Sequence, residues 1–142
     1  MSKIPVMLNV RGVQNYQDGE PEVIELTTEG TLEKQKEVWE ISYEESDLTG
    51  LQGVVTTFCV KPEEITLRRT GRLQSEMVFK EGYRHESLYQ MEFGALMMAV
   101  TARSIRCDVG PRGGEIAITY GIEIEHNTAG TVEYHVTVKP ME

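Results

Sequence analysis

Apolar residues fall at every second position through most of the chain, which is the period of strands with one buried face and not the 3.6-residue period of helices. The clearest runs are Val6, Leu8 and Val10; Ile24 and Leu26; Trp39, Ile41 and Tyr43; Ile116, Ile118, Tyr120, Ile122 and Ile124; and Val132, Tyr134, Val136 and Val138. Short turn-forming pieces separate them, among them Asp18-Gly19, Gly71, Gly82, Gly94, Gly113-Gly114 and Asn127 to Gly130. The pattern predicts about eight to ten strands joined mainly as hairpins. Thr31 to Glu37, with its Glu and Lys content, would suit a helical turn, but it is too short to change the picture.

Loop length decides which residues of a hairpin oppose one another, so the segment from Ile65 to Ile105 can be read in register. A two-residue loop at Gly94-Ala95 sets Met91 opposite Met98, Tyr89 opposite Val100, His85 opposite Ser104, and Glu86 opposite Arg103. A three-residue loop at Glu81, Gly82 and Tyr83 sets Phe79 opposite His85, Met77 opposite Ser87, and Leu73 opposite Met91. Another at Thr70, Gly71 and Arg72 sets Arg69 opposite Leu73 and Ile65 opposite Met77. Four consecutive strands then make a meander with one mostly apolar face. A sheet of that kind must close on itself or fold onto a second sheet, and hairpins without long crossovers favour closure. The expected fold is all-β, a closed or nearly closed antiparallel up-and-down barrel forming one domain over residues 1–142.

A formal charge of -9 repels phosphate backbones, and the only short basic cluster is Arg68, Arg69 and Arg72, so a nucleic-acid partner is not expected. No apolar stretch is long enough for a membrane-spanning helix, and Met1 to Val6 carries Lys3 and Pro5 where an export signal needs an apolar core. A cytoplasmic protein without a membrane partner is the expectation. Cys59 and Cys107 sit in strand-like apolar surroundings and read as buried free thiols.

A barrel of this size is filled by side chains or holds one small ligand, so polar residues on the inward face are the informative ones. By parity these are Arg69, Ser75, His85, Ser87, Tyr89, Ser104 and Tyr120. His85, Ser87 and Ser104 fall together beyond the apolar stretch of Tyr89, Met91, Phe93, Leu96, Met98 and Val100, which makes one end of the barrel a polar mouth above an apolar cavity. Arg69 follows Ile65 and Leu67 on the same face, where a guanidinium needs a partner: a carboxylate or phosphate ligand, an internal Glu, or a neighbouring loop. By length of strand Arg69 and His85 do not share one site.

Nothing in the pattern assigns catalysis, a metal or a cofactor. His85 points inward, His135 outward, and His126 lies at a turn, with no zinc spacing among them. Cys107 has the parity of Arg103, away from His85, which removes a Cys/His nucleophile. Gly110 to Gly114 links two strands and reads as a hairpin loop, the cluster Met77, Met91, Met97 and Met98 as core filling, and the acidic runs Glu44 to Asp47 and Glu123 to Glu125 as solvated edges.

The segments Ile65 to Gly71 and Ser75 to Phe79, then His85, Ser87, Tyr89, Phe93-Gly94, and Gly113-Gly114 leading to Tyr120, resemble the YwiB-like family of bacterial proteins. That resemblance implies a calycin-type, lipocalin-like β-barrel and no particular activity. The leading functional expectation is a non-catalytic barrel that binds a small, partly apolar ligand through Arg69, His85, Ser87, Tyr89, Ser104 and Tyr120. The alternative is a structural or interaction barrel that forms a homodimer through outward Leu88, Met97 and Ala99, and an enzyme ranks third.

Overall fold

The computed structural model describes residues 3–16, 19–46 and 51–141, with backbone alone at Tyr16 and Met91. Asp18 and Asp47, named above in a turn and an acidic run, lie outside the described residues. The strands are β1 (Ile4–Tyr16), β2 (Glu22–Gln35), β3 (Val38–Glu44), β4 (Val54–Lys61), β5 (Glu64–Gly71), β6 (Ser75–Phe79), β7 (Arg84–Met91), β8 (Gly94–Gly110), β9 (Gly113–Ile124) and β10 (Asn127–Pro140). They form one ten-stranded antiparallel sheet, a nearly closed barrel in the order β6-β5-β4-β3-β2-β1-β10-β9-β8-β7. Thr31 to Gln35 belongs to β2, so no helical turn forms there.

The first and last strands are zipped together from Val6↔Pro140 to Tyr16↔Gly130, which puts the barrel's seam in the middle of the chain, between β6 and β7. The continuous four-strand meander expected from Ile65 to Ile105 is therefore interrupted. Gln74 and Gln90 exchange backbone hydrogen bonds of 2.9 Å in each direction, in the register the sequence predicts. Beyond that bridge the strands part, because the chain after β6 crosses to β8, where Glu81 makes a parallel bridge to Ala102 and Gly82 N–H donates to Ala102 C=O at 2.9 Å. The His85 ring fills the gap, its Nδ1 accepting from Val78 N–H at 3.3 Å.

Two hairpin registers differ from expectation by even numbers of residues. The β7–β8 loop is Glu92-Phe93, so Tyr89 faces Leu96 and His85 faces Val100, and Glu86 faces Ala99 instead of Arg103. In β5–β6, Arg69 faces Ser75 and Ile65 faces Phe79. Neither change moves a side chain to the other face. A β-bulge between Ala102 and Ser104 does: beyond it Ser104 pairs with Thr119 on the outer surface, while Ile105 and Cys107 face Ile118 and Ile116 inside. Ser104 is thus exposed and not at an inward mouth, and Cys107 packs against the core, its thiol donating to Lys61 C=O at 3.5 Å.

The core fills the half of the barrel nearest the chain termini. Val6, Leu8, Ile41, Phe58, Leu67, Phe79, Ile116 and Val136 are among its buried residues, and Phe79 packs against Tyr120 with ring centroids 4.6 Å apart and planes tilted by 45°. Each such large side chain contributes about 1.5–3 kcal/mol by leaving water.

On the outer face Ala99 is buried, which shrinks the proposed surface patch to Leu88 and Met97. Ala99 lies between its cross-strand neighbours Glu86 and Glu123, which Arg84 joins by binding Glu123 through two nitrogens at 3.0 and 3.1 Å and Glu86 at 3.1 Å. These hydrogen bonds hold the Glu123 carboxyl below its ordinary range. Its contribution to stability is therefore present above the unfolded carboxylate value of about 4.3 and is lost as pH falls through the lowered folded value. Arg84→Ala is expected to move the Glu123 titration upward, read by side-chain carboxyl NMR; an unchanged curve would rule out Arg84 as its partner.

Candidate functional site

Register brings one polar residue from each of four neighbouring strands to the same level inside the barrel. Tyr43 on β3 faces Thr56 on β4, Thr56 faces Arg69 on β5, and Arg69 faces Ser75 on β6. The next level towards the core is Ile41, Phe58, Leu67 and Met77, all apolar. Glu45 continues the inward parity of Trp39, Ile41 and Tyr43 past the end of β3, and Glu45 N–H donates to Val54 C=O at 2.8 Å. That leaves Glu45 only 7% exposed, so it is not the solvated edge its acidic surroundings suggested.

Hydrogen bonds tie this group together. The Thr56 hydroxyl donates to a Glu45 carboxylate oxygen, and the Tyr43 hydroxyl does the same. Arg69 Nη2 donates to the Tyr134 hydroxyl at 3.2 Å, and the Tyr134 ring meets Phe58 edge-on with centroids 6.3 Å apart. Burial first, then the charge of Glu45, pushes the Tyr43 hydroxyl well above the usual phenol range, and burial does the same to Tyr120, so both remain hydrogen-bond donors. Burial opposes the Arg69 charge, but Tyr134, Tyr43 and Glu45 outweigh it and the guanidinium keeps its proton. Among the described residues, the buried Arg69 Nε and Ser75 Oγ have no hydrogen-bond partner.

Arg69 stands between two cavities. One, of about 230 Å³, is lined by Val10, Gly12, Leu26, Tyr43 and Glu45. The other, of about 280 Å³, is lined by Met77, Leu96, Met98, Tyr120, Ile122 and Val132. Gln14, Arg69, Tyr89 and Tyr134 belong to both. The result is an apolar chamber and a polar one with a cation at the junction.

Of the residues singled out from sequence, Arg69, Tyr89 and Tyr120 come together here. His85 lies four residues farther along β7, about 13 Å at 3.3 Å per residue, and belongs to the seam. Ser87 is half-buried opposite Met98 and lines neither chamber. The polar end is thus the opposite one from the mouth expected around His85 and Ser104. Tyr43, Glu45, Thr56 and Tyr134 were missed, although inward parity marks each of them. Among the described residues no group of three or more His, Cys, Asp and Glu side chains could hold a metal ion.

A family model described as a domain of unknown function, DUF1934, matches residues 8–136. The uncharacterized beta-barrel protein YwiB of Bacillus subtilis (strain 168) is 33% identical over 135 residues, covering 92% of each chain. The crystal structure of the ywiB protein from Bacillus subtilis superposes with a TM-score of 0.86 at 26% identity, covering 99% of this chain and 94% of that one.

Proposed function

The chain belongs to the DUF1934 family, and we propose that its lipocalin-like barrel binds one small, partly apolar molecule in the lumen, without catalysis. The observation that carries this reading is the pair of chambers, of about 230 and 280 Å³, meeting at Arg69, Tyr89 and Tyr134. Small-molecule sites are concave and mostly apolar, with a few convergent polar groups that fix orientation, and each chamber lies just below the usual size range. Among the described residues no set of acid, base and nucleophile with coherent geometry accompanies them, and this favours binding over catalysis.

The smaller chamber can be narrowed at a position that carries no polar side chain. Gly12 lines the smaller one, and a Cβ there would meet the Tyr134 ring at an ordinary 3.7 Å. Gly12→Val should therefore fold normally and fill the space. A fragment library read by thermal shift is expected to yield compounds that raise the Tm of the parent protein and leave Gly12→Val unmoved. A silent library would dispose of the lumen as a binding site, and equal shifts for both proteins would dispose of the smaller chamber.

A further inference from the structure

We infer that the lumen ligand is a small monocarboxylic acid, its carboxylate held by Arg69 beside the hydroxyls of Tyr89 and Tyr134 and its apolar part lying along Leu96, Met98 and Ile122. The inference rests on the lumen reading and narrows it to a chemical class.

A count of donors and acceptors around Arg69 points this way. Its guanidinium offers five N–H donors in a planar fork and accepts nothing. One nitrogen donates to the Tyr134 hydroxyl, and Nε has no partner among the described residues. The Tyr43, Tyr89, Tyr120 and Tyr134 hydroxyls around the two chambers, and the Ser75 hydroxyl directly across from Arg69, can each donate as well. Among the described residues lining the chambers the one carboxylate is Glu45, which Thr56 and Tyr43 already engage. Buried donors require acceptors, and Arg69 Nε, which can only donate, is left without one among the described residues. A molecule that brings acceptors supplies it, and a carboxylate matches the guanidinium fork with two parallel hydrogen bonds.

Charge sets the class more narrowly. Arg69 and Glu45 together leave the site near neutral, so a monoanion adds one buried negative charge and a dianion adds two. Desolvation of charge rises steeply, which favours a carboxylate over a phosphate monoester. The second chamber supplies the apolar surface for the rest of the molecule: Met77, Leu96, Met98, Ile122 and Val132.

Calorimetric titration with hexanoate and benzoate against the size-matched neutral hexanamide and benzamide tests this. The parent protein is expected to bind the acids at least about tenfold more tightly than the amides, the worth of a hydrogen bond to a charged group. Arg69→Lys keeps a cation near Glu45 but loses the fork, and should reduce that preference several-fold while leaving amide affinity as it was. Tyr89→Phe removes only a hydroxyl and should weaken the acids in the same direction, so the test survives if Arg69→Lys does not fold. Hexylphosphonate as its dianion should bind more weakly than hexanoate. Amides that bind as well as acids would overturn the carboxylate and leave the lumen reading standing, and a tighter phosphonate would overturn the monoanion. If acids and amides both fail to bind, the inference falls, and a silent fragment library as well would remove the lumen reading with it.

Discussion

Gly114→Ala is expected to cost about 4 kcal/mol or more, placing it in the small class of substitutions that disable a fold outright. Gly114 is the second residue of β9, where it pairs with Val109 of β8 on one side and Val138 of β10 on the other. Its φ of +143° is one that L side chains rarely adopt, and an added Cβ would lie 1.7 Å from the Asp108 carbonyl oxygen and 2.8 Å from its carbon. Both atoms are backbone of the paired strand, so no rotamer change relieves the clash; the hairpin must come apart or slip. Gly12→Ala is the control in the same sheet, since its Cβ meets only the Tyr134 ring, at 3.7 and 3.9 Å. It should be neutral or slightly stabilising, because alanine restricts the unfolded chain. Urea midpoints separate the two. A Gly114→Ala protein that unfolds at the parent midpoint would mean that the hairpin can shift at little cost.

The alternation of apolar residues sufficed to predict an all-β barrel because a period of two survives errors in loop placement. Tyr89 was set opposite Val100 and faces Leu96, and Arg69 was set opposite Leu73 and faces Ser75. Both shifts are even, so Tyr89 and Arg69 keep the inward direction their parity gave them. An odd shift has the opposite consequence. The bulge at Arg103 carries no local sequence signal, since neither glycine nor proline marks it, yet it turns Ser104 outward and Cys107 inward and moves the polar mouth away from His85. Glu45 was hidden for a different reason. It sits among Glu44, Ser46 and Asp47, which read as a solvated run, and its burial depends on Thr56 reaching it from β4, a strand whose register the sequence did not fix. The seam was equally out of reach, because the crossing of Glu81 to Ala102 joins residues far apart in the chain without a hairpin to announce it.

Arg69→Met is expected to destabilise the barrel by about 1–3 kcal/mol, because it removes the donor to the buried Tyr134 hydroxyl and the cation whose charge acts on Glu45. Glu45→Gln should be costly as well, by stranding the guanidinium. The double variant should recover part of the loss if the two charges are coupled, since neither is then buried without the other. A double-mutant cycle built on urea midpoints measures this coupling directly. Simple additivity of the two single losses would show that Glu45 and Arg69 are energetically independent and that Thr56, Tyr43 and Tyr134 alone satisfy them. Coupling with recovery has a further consequence. Part of each charge's effect on the fold would then be to balance the other, so stability alone is a weak reason for the chain to place Arg69 at the junction of two chambers. The stronger reason lies in what Arg69 meets there, and the double variant should accordingly be more stable than the two single losses added together allow, yet show no preference for hexanoate over hexanamide.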